Sequence, residues 1–481
     1  MARFRHFHWL LALLAVPGAF ASSNTPRATW PNGPFVTSGR WIQDAGGSTV
    51  TYVGVNWPGS LETMLPEGLQ YQSIESIVSR IKTLGMNAIR LTYATEMIDQ
   101  YYDNEETDVA IQRALTDALG QDGGSTVYDE IIANNPSFNS STTRLQVFDA
   151  IAAECARQEI YVHLDNHVSR AGWCCSPLDG NAWWGDEYFN IDNWTRGLSF
   201  MATHGKAWSN FMSMSLRNEL RIPLSNFTFA STSYNWEDWY THIKQGTDAI
   251  HSANEDVLIF LSGLNSDQDL STVVNGTALT PGSATFNLDD FSGYANKLVL
   301  ELHAYDNILG PGPSNCTVVQ EELFNAGFKA LTDDAKNQFP VVLTEFGLEQ
   351  NGTAAQDPYI SCLLDYVPSR NAGWMIWQLG GSYYIREGTQ DRDENWGLLV
   401  HDWSDWRSPD FVNSSLTPAV TKTFEINNNP DPNASGDGSS GTPDDESTGT
   451  GLKSTLVSGL FDLPLPLYAA LLFIGLVFVF Y

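Results

Sequence analysis

"FMSMSLRNELR", residues 211–221, decides the fold. From Phe211 to Leu216 apolar and small polar side chains alternate, the period of a strand whose two faces differ. The alternation ends in Arg217, Asn218 and Glu219. An amide and a carboxylate at the end of a strand point out of a sheet edge, where ligands sit in open and closed parallel sheets alike. Glu219 is therefore either a solvated strand end or one half of a catalytic pair. The second reading requires another carboxylate at the end of a distant strand.

Seven further runs of the same kind can be read in the chain: YVGVNW (52–57), MNAIRLTY (86–93), EIYVHLD (159–165), DVLIFL (256–261), KLVLELH (297–303), PVVLTEF (340–346) and AGWMIW (372–377). Amphipathic stretches separate them. Ile74, Ile77, Val78 and Ile81 share one helix face, and so do Leu145, Val147, Phe148, Ile151 and Ala152. Helices alternating with strands imply parallel strands joined by helical crossovers. Eight such units within residues 28–425 fit an α/β fold, a (β/α)8 TIM barrel with long loops. The alternative is an open doubly wound sheet. No glycine-rich phosphate fingerprint follows the first run, which weakens it.

In a barrel of this kind the strand ends converge on one site. The first run ends in Asn56 and Trp57, the second carries Arg90, and the third ends in Asp165, Asn166 and His167. The sixth ends in His303 and Tyr305, the seventh in Glu345, and the eighth in Trp377. Glu345 is the second carboxylate that Glu219 requires. Two facing carboxyl groups suit glycoside hydrolysis, in which one is protonated to assist the leaving oxygen and the other is ionised to attack or to activate water. Arg90 can orient a carboxylate, Asn218 can hold a sugar hydroxyl, His167, His303 and Tyr305 can donate hydrogen bonds, and Trp57 and Trp377 can lie against a sugar ring. His163 alternates with inward positions and reads as core. Trp183 and Trp184 either line a sugar subsite or pin a loop. Trp396 and Trp403 read as closing a barrel end.

RNE after the fourth run, TEFG at the seventh, NAIRL, LDNH, ELHAYD and GWMIWQLGGSYYIREG together resemble glycoside hydrolase family 5, the cellulase-type family of clan A. The resemblance covers residues 35–410. It implies a (β/α)8 barrel and a retaining mechanism, with Glu219 as general acid/base and Glu345 as nucleophile. It places Arg90, His167, Asn218, His303, Tyr305 and Trp377 in supporting positions and implies no metal and no cofactor. The carboxyl separation it implies is about 5–5.5 Å. The substrate it implies is a polysaccharide, foremost a β-1,4-glucan; a β-1,3-glucan, a mannan or a glycolipid is the alternative. A catalytically dead barrel that binds wall polysaccharide is the reading from another class, and the intact carboxylate pair argues against it. GWCCS (172–176), the segment 381–399 and the acidic stretch 102–125 depart from the plainest members and are expected to shape the cleft walls.

The balance of 25 Lys and Arg against 56 Asp and Glu, a formal net charge of -31, excludes a nucleic-acid partner, whose phosphates need a basic face. Residues 1–21 read as a secretory leader, with Arg3 and Arg5 ahead of an apolar run and Ala19-Phe20-Ala21 as a cleavage site. Eight Asn-x-Ser/Thr sequons suit an exported glycoprotein. Residues 426–455 are rich in Asn, Pro, Asp, Gly, Ser and Thr and read as a disordered linker. The apolar tail 456–481 reads as the signal for a C-terminal glycolipid anchor, with a single-pass span as the alternative, so membrane contact is expected only there. Of the five cysteines, Cys316 and Cys362 are the expected disulfide, while the pairing among Cys155, Cys174 and Cys175 stays open. A monomer is expected.

Overall fold

The computed structural model describes residues 30–306 and 315–428. The leader, the apolar tail and nearly all of the linker lie outside the described residues. A short hairpin comes first, β1 (Val36–Ser38) and β2 (Trp41–Gln43). Eight parallel strands follow: β3 (Val53–Trp57), β4 (Ala88–Ala94), β5 (Tyr161–Val168), β6 (Phe211–Ser215), β7 (Leu258–Leu261), β8 (Leu298–Ala304), β9 (Val341–Phe346) and β10 (Gly373–Ile376). They pair in chain order, and β10 pairs back onto β3, so the barrel is closed. Each strand coincides with the run read for it, with β4, β5 and β8 extending one to three residues past its end. A second hairpin, β11 (Ser382–Arg386) and β12 (Thr389–Asp393), lies outside the barrel.

The crossovers are helical for local reasons. Ser73 caps the helix Ile74–Thr83 by accepting from the Ser76 N–H, and the helix buries Ile74, Ile77, Val78 and Ile81. Thr143 and Gln146 form a capping box at the start of the helix Arg144–Arg157, which buries Leu145, Val147, Phe148, Ile151 and Ala152. These apolar stripes meet the outward faces of the strands in one continuous cluster. Among the described residues no helix is long and apolar enough to cross a membrane.

The barrel interior is layered. At its N-terminal end Phe35 and Ile42 of the first hairpin region join Tyr52, Ala88, Tyr161, Leu258, Phe260, Val299, Val342 and Met375 in a second apolar cluster. Lys297 Nζ ties that plug to the wall by donating to the Phe35 carbonyl at 2.7 Å. Two residues further along each strand, on the same face, come Arg90, His163, Ser262, Glu301 and Thr344, all buried. The period of two thus turns an apolar floor into a polar layer directly beneath the strand ends.

Cys316 and Cys362 are joined, as expected, and Cys174 is joined to Cys175; Cys155 is free and buried. The acidic stretch enters a helix, Ile111–Asn134, kinked at Gly120. Gln390 Nε2 of β12 donates to the Leu119 carbonyl at 2.8 Å, so the acidic segment and the second hairpin brace each other.

Gly54 in β3 shows how closely the wall is built. A Cβ there would lie 2.3 Å from the backbone oxygen of Ala88 in β4, which cannot move without parting the strands. Gly54→Ala is expected to cost on the order of 3 kcal/mol, read as a lower urea midpoint with an unchanged slope. A midpoint equal to that of wild type would show that the β3–β4 spacing is not fixed by this contact.

Candidate active site

The polar layer converges on Arg90, which is wholly buried. Its Nη1 donates to Glu345 Oε2 at 2.9 Å and to Asn56 Oδ1 at 2.9 Å. Its Nη2 donates to Asn218 Oδ1 at 2.8 Å and pairs with Asp165 Oδ1 at 3.0 Å. One guanidinium thus links the ends of β3, β4, β5 and β9 and the turn after β6. Burial alone would lower its pKa; the charges of Asp165, Glu345 and Glu301 outweigh burial and hold it above the ordinary arginine range. Asp165 shows the converse. Burial opposes its ionisation, yet Arg90 and then His167 bring its carboxyl down to about 2. His167 Nδ1 lies 2.6 Å from Asp165 Oδ2.

Glu345 is fixed at both oxygens. Oε2 takes the Arg90 bond and Oε1 accepts from the Tyr305 hydroxyl at 2.8 Å. Burial, then the charges of Glu345 and Glu219, hold the Tyr305 phenol well above its usual range, so it stays a donor. His303, two residues beyond the inward Glu301 on β8, points into the space between the carboxylates. His303 Nδ1 lies 3.1 Å from Glu219 Oε1 and 3.9 Å from Glu345 Oε1. Burial first, with Arg90 adding to it, lowers the imidazole to about 3, which keeps it neutral.

Glu219 is held differently. Its backbone is left-handed, with φ 48°, a conformation that non-glycine residues seldom adopt outside functional or tightly constrained sites. The buried Asp267 secures it by accepting the Glu219 N–H at 2.7 Å, and Arg221 Nη1 donates to the Glu219 carbonyl at 2.8 Å. Asp267 closes a run, Asn265, Ser266 and Asp267, in which every φ is also positive. Burial raises the Glu219 carboxyl, and the positive charges of Arg221, His167 and Arg90 only partly oppose it. Glu219 is therefore biased toward the protonated form, while Glu345 sits against a permanent cation.

The donor atoms of Glu219, His303 and Glu345 all lie within 4.8 Å of one another. Such a trio could hold a cation. The same distance brings one oxygen of Glu219 and one of Glu345 close together, in keeping with the shorter of the two carboxyl separations that glycoside hydrolysis uses. His167 and the two sulfurs of Cys174 and Cys175 form a second such group, but there the sulfurs are bonded to each other. The arrangement offers two facing carboxyl groups, one raised by burial and one held by Arg90 and Tyr305, with hydrogen-bond donors around both.

The structure gathers Glu219, Glu345, Arg90, His167, Asn218, His303, Tyr305 and Trp377 at one end of the barrel. The Trp377 ring stacks on His167, 5.5 Å between centroids and 4° from parallel. Trp57 is a correction. It is wholly buried, its Nε1 donates to the Glu67 carbonyl at 3.0 Å, and it packs between barrel and loop with no face open to a sugar. The strand alternation explains this: Asn56 turns inward to Arg90 and Trp57 must turn outward. Trp183 and Trp184 are buried and pin their loop. His163 is core, bonded to Ser213 Oγ at 2.8 Å and Ser215 Oγ at 2.7 Å. Trp403 is buried, whereas the half-exposed Trp396 stands 6.0 Å from the Tyr305 ring.

Asp165, Asn56, Asp267, Glu301 and Trp173 act in or behind the site and were not singled out from the sequence. Asp165 and Asn56 stood at strand ends already noted. Asp267 lies six residues beyond the end of β7, on an irregular turn that no period marks.

Residues 44–382 match the family model described as cellulase (glycosyl hydrolase family 5). A "Glycosyl hydrolase 5 family protein" of Chamaecyparis obtusa is 35% identical over 395 residues, 79% of this chain; the chain spans 65% of that relative's own length. An "Endoglucanase" of Paenibacillus polymyxa is 22% identical over 406 residues, 81% of this chain and 88% of the relative. Among solved structures, the hyperthermophilic endocellulase from the archaeon Pyrococcus horikoshii superposes with a TM-score of 0.59 at 19% identity, covering 81% of this chain and 99% of that one. The barrel with its paired carboxylates and the match over most of its length agree, and the chain belongs to glycosyl hydrolase family 5.

Proposed function

We propose that the protein is a retaining endo-β-1,4-glucanase. The observation that carries this reading is the opposition of Glu219 and Glu345 within 4.8 Å, one raised by burial and the other braced by Arg90 and Tyr305. Glu345 attacks the anomeric carbon while Glu219 gives its proton to the departing glycosidic oxygen. A glycosyl ester on Glu345 forms, and Glu219, now ionised, takes a proton from the water that hydrolyses it. As the ester forms, Glu345 gives up to the new C–O bond the negative charge that Tyr305 and Arg90 stabilise. The preference for a β-1,4-glucan is supported by the names of similar proteins, the endoglucanase of Paenibacillus polymyxa and the Pyrococcus horikoshii endocellulase, which is described in complex with cellotetraose.

The same reading places the mature protein at the cell surface, as a glycosylated monomer freed of its leader and held by a glycolipid anchor. Two disulfides and the exposed sequon residues Asn139, Asn226, Asn275, Asn315, Asn351 and Asn413 support an exported chain. A phosphatidylinositol-specific phospholipase is expected to release the activity from membranes of the producing cell. Activity that stays with the membrane after phospholipase treatment would favour a spanning tail.

Soluble β-1,4-glucan is expected to yield new reducing ends whose first-formed anomer is β by NMR. Glu345→Gln should lose activity by several orders of magnitude on every substrate. Glu219→Gln should lose about 10²–10⁴-fold on glucan and far less in the first step on an aryl cellobioside with an acidic leaving group, which needs no protonation. An α anomer formed first, or equal losses for both substrates in Glu219→Gln, would overturn these roles.

The raised Glu219 carboxyl also fixes the sign of one pH limb. The acid works only while protonated, so kcat/KM on glucan falls as pH rises through a pKa above the usual glutamate value of about 4.3. That limb should vanish for the activated aryl substrate. A limb that stays with both substrates would assign the titration to another group.

A further inference from the structure

The loop after β5 carries Trp173, Cys174 and Cys175 across the face of the barrel where the carboxylates lie. The two cysteines are joined to each other, and both are partly exposed. Their sulfurs stand 3.6 and 3.3 Å from Nδ2 of Asn218. Asn218 is 1% exposed, and its Oδ1 is already engaged by Arg90. The amide nitrogen next to Glu219 is thus aimed at the disulfide. Sulfur is a weak acceptor, so this contact is one the amide can exchange for a better partner.

The loop is fastened on both sides. Arg221 Nε donates to the Ser176 carbonyl at 3.1 Å and Nη2 pairs with Asp179 at 2.5 Å, while Nη1 holds the Glu219 carbonyl. Trp173 lies under the Arg386 guanidinium at 3.4 Å and contacts the Tyr383 ring at 5.6 Å and the Trp377 ring at 6.5 Å. The disulfide is therefore held between a fixed aromatic pair and the amide beside the acid. Its sulfurs form an apolar, polarisable surface without a hydrogen-bond donor.

We propose that the Cys174–Cys175 disulfide is part of the glycan-binding surface. A pyranose ring seated beside Glu219 lies against the paired sulfurs, and one of its hydroxyls takes the Asn218 N–H that the sulfurs otherwise hold. The proposal rests on the glucanase reading. It makes the substrate affinity depend on the redox state of this one bond. A dithiol reductant attacks one sulfur, forms a mixed disulfide and leaves as its own cyclic disulfide. The protein keeps two thiols, each carrying a proton, where one compact surface stood.

The test is the double variant Cys174→Ser, Cys175→Ser in the full chain, assayed on soluble β-1,4-glucan and an aryl cellobioside. A contact made in both the bound and the reacting complex appears in KM, which is expected to rise about tenfold while kcat changes little. Dithiol treatment of the folded wild type, followed to the point where alkylation marks only Cys174 and Cys175, should raise KM to the same level. The same treatment should leave the double variant unchanged. An unaltered KM in the double variant overturns the proposal, and so does a loss confined to kcat. If wild type cuts glucan and the variant equals it, only this inference falls; if wild type cuts no glycan, the glucanase reading falls with it.

Discussion

Arg90 is the constraint on which the site depends. A guanidinium with no exposed surface, inside a barrel whose floor is apolar, has to be paired wherever it can reach. It reaches Asp165, Glu345, Asn218 and Asn56, contributed by β5, β9, the turn after β6 and β3. None of these positions can shift without leaving part of a buried cation unpaired. Their mutual geometry is therefore set by the fold before any substrate arrives, which is what preorganised catalysis requires.

The same cation organises the protons. Glu345, Asp165, Glu219, Glu301 and Asp267 crowd around one arginine, and they cannot all ionise in a buried space. Asp165, in direct contact with Arg90, is brought down to about 2. Those behind it are pushed up by burial, and Glu301 and Asp267 also by carboxylates near them. Glu219 is raised by burial. It touches no cation with its carboxylate, and its nearest ring, His303, is held neutral. Glu345 stands directly against Arg90 and the Glu219 carboxylate does not, and the proposed division of roles rests on that difference in placement.

The floor of this site was legible in the sequence because strands have a strict period. Once the eight runs are recognised, their last residues must meet, and Glu219, Glu345, Arg90, His167, Asn218, His303, Tyr305 and Trp377 all do. The period also explains the one misplacement. Asn56 and Trp57 are neighbours, so only one can face inward, and an aromatic residue at a strand end was read as a platform without asking which face it took. What stayed hidden lies on irregular backbone. Asp267 is set by three left-handed residues in a row. The pairing of Cys174 with Cys175, and its place beside Asn218, follows from a loop whose path no pattern dictates. The hairpin from β11 to β12 was visible only as a departure from simpler family members.

This division separates chemistry from selection. Glu345 and Arg90 are built on strands, which tolerate little change because each residue also closes the barrel, and Glu219 sits on the turn after β6. The walls come from the loop at Trp173, the braced pair of the acidic helix and the β11–β12 hairpin, and Trp396 beside Tyr305. Arg386 of β11 joins two of these walls by stacking on Trp173 while pairing with Glu394 at 3.0 Å. A wall locked by a cation–π contact and an ion pair can change without disturbing Arg90, since among the described residues no bond runs from Arg386 to Glu219 or Glu345. The Asn218 amide is where wall and floor touch. It takes Arg90 on one side and the paired sulfurs on the other, and Arg221 joins the same loop to the Glu219 carbonyl, so a change in the wall reaches the carboxylates through both side chains.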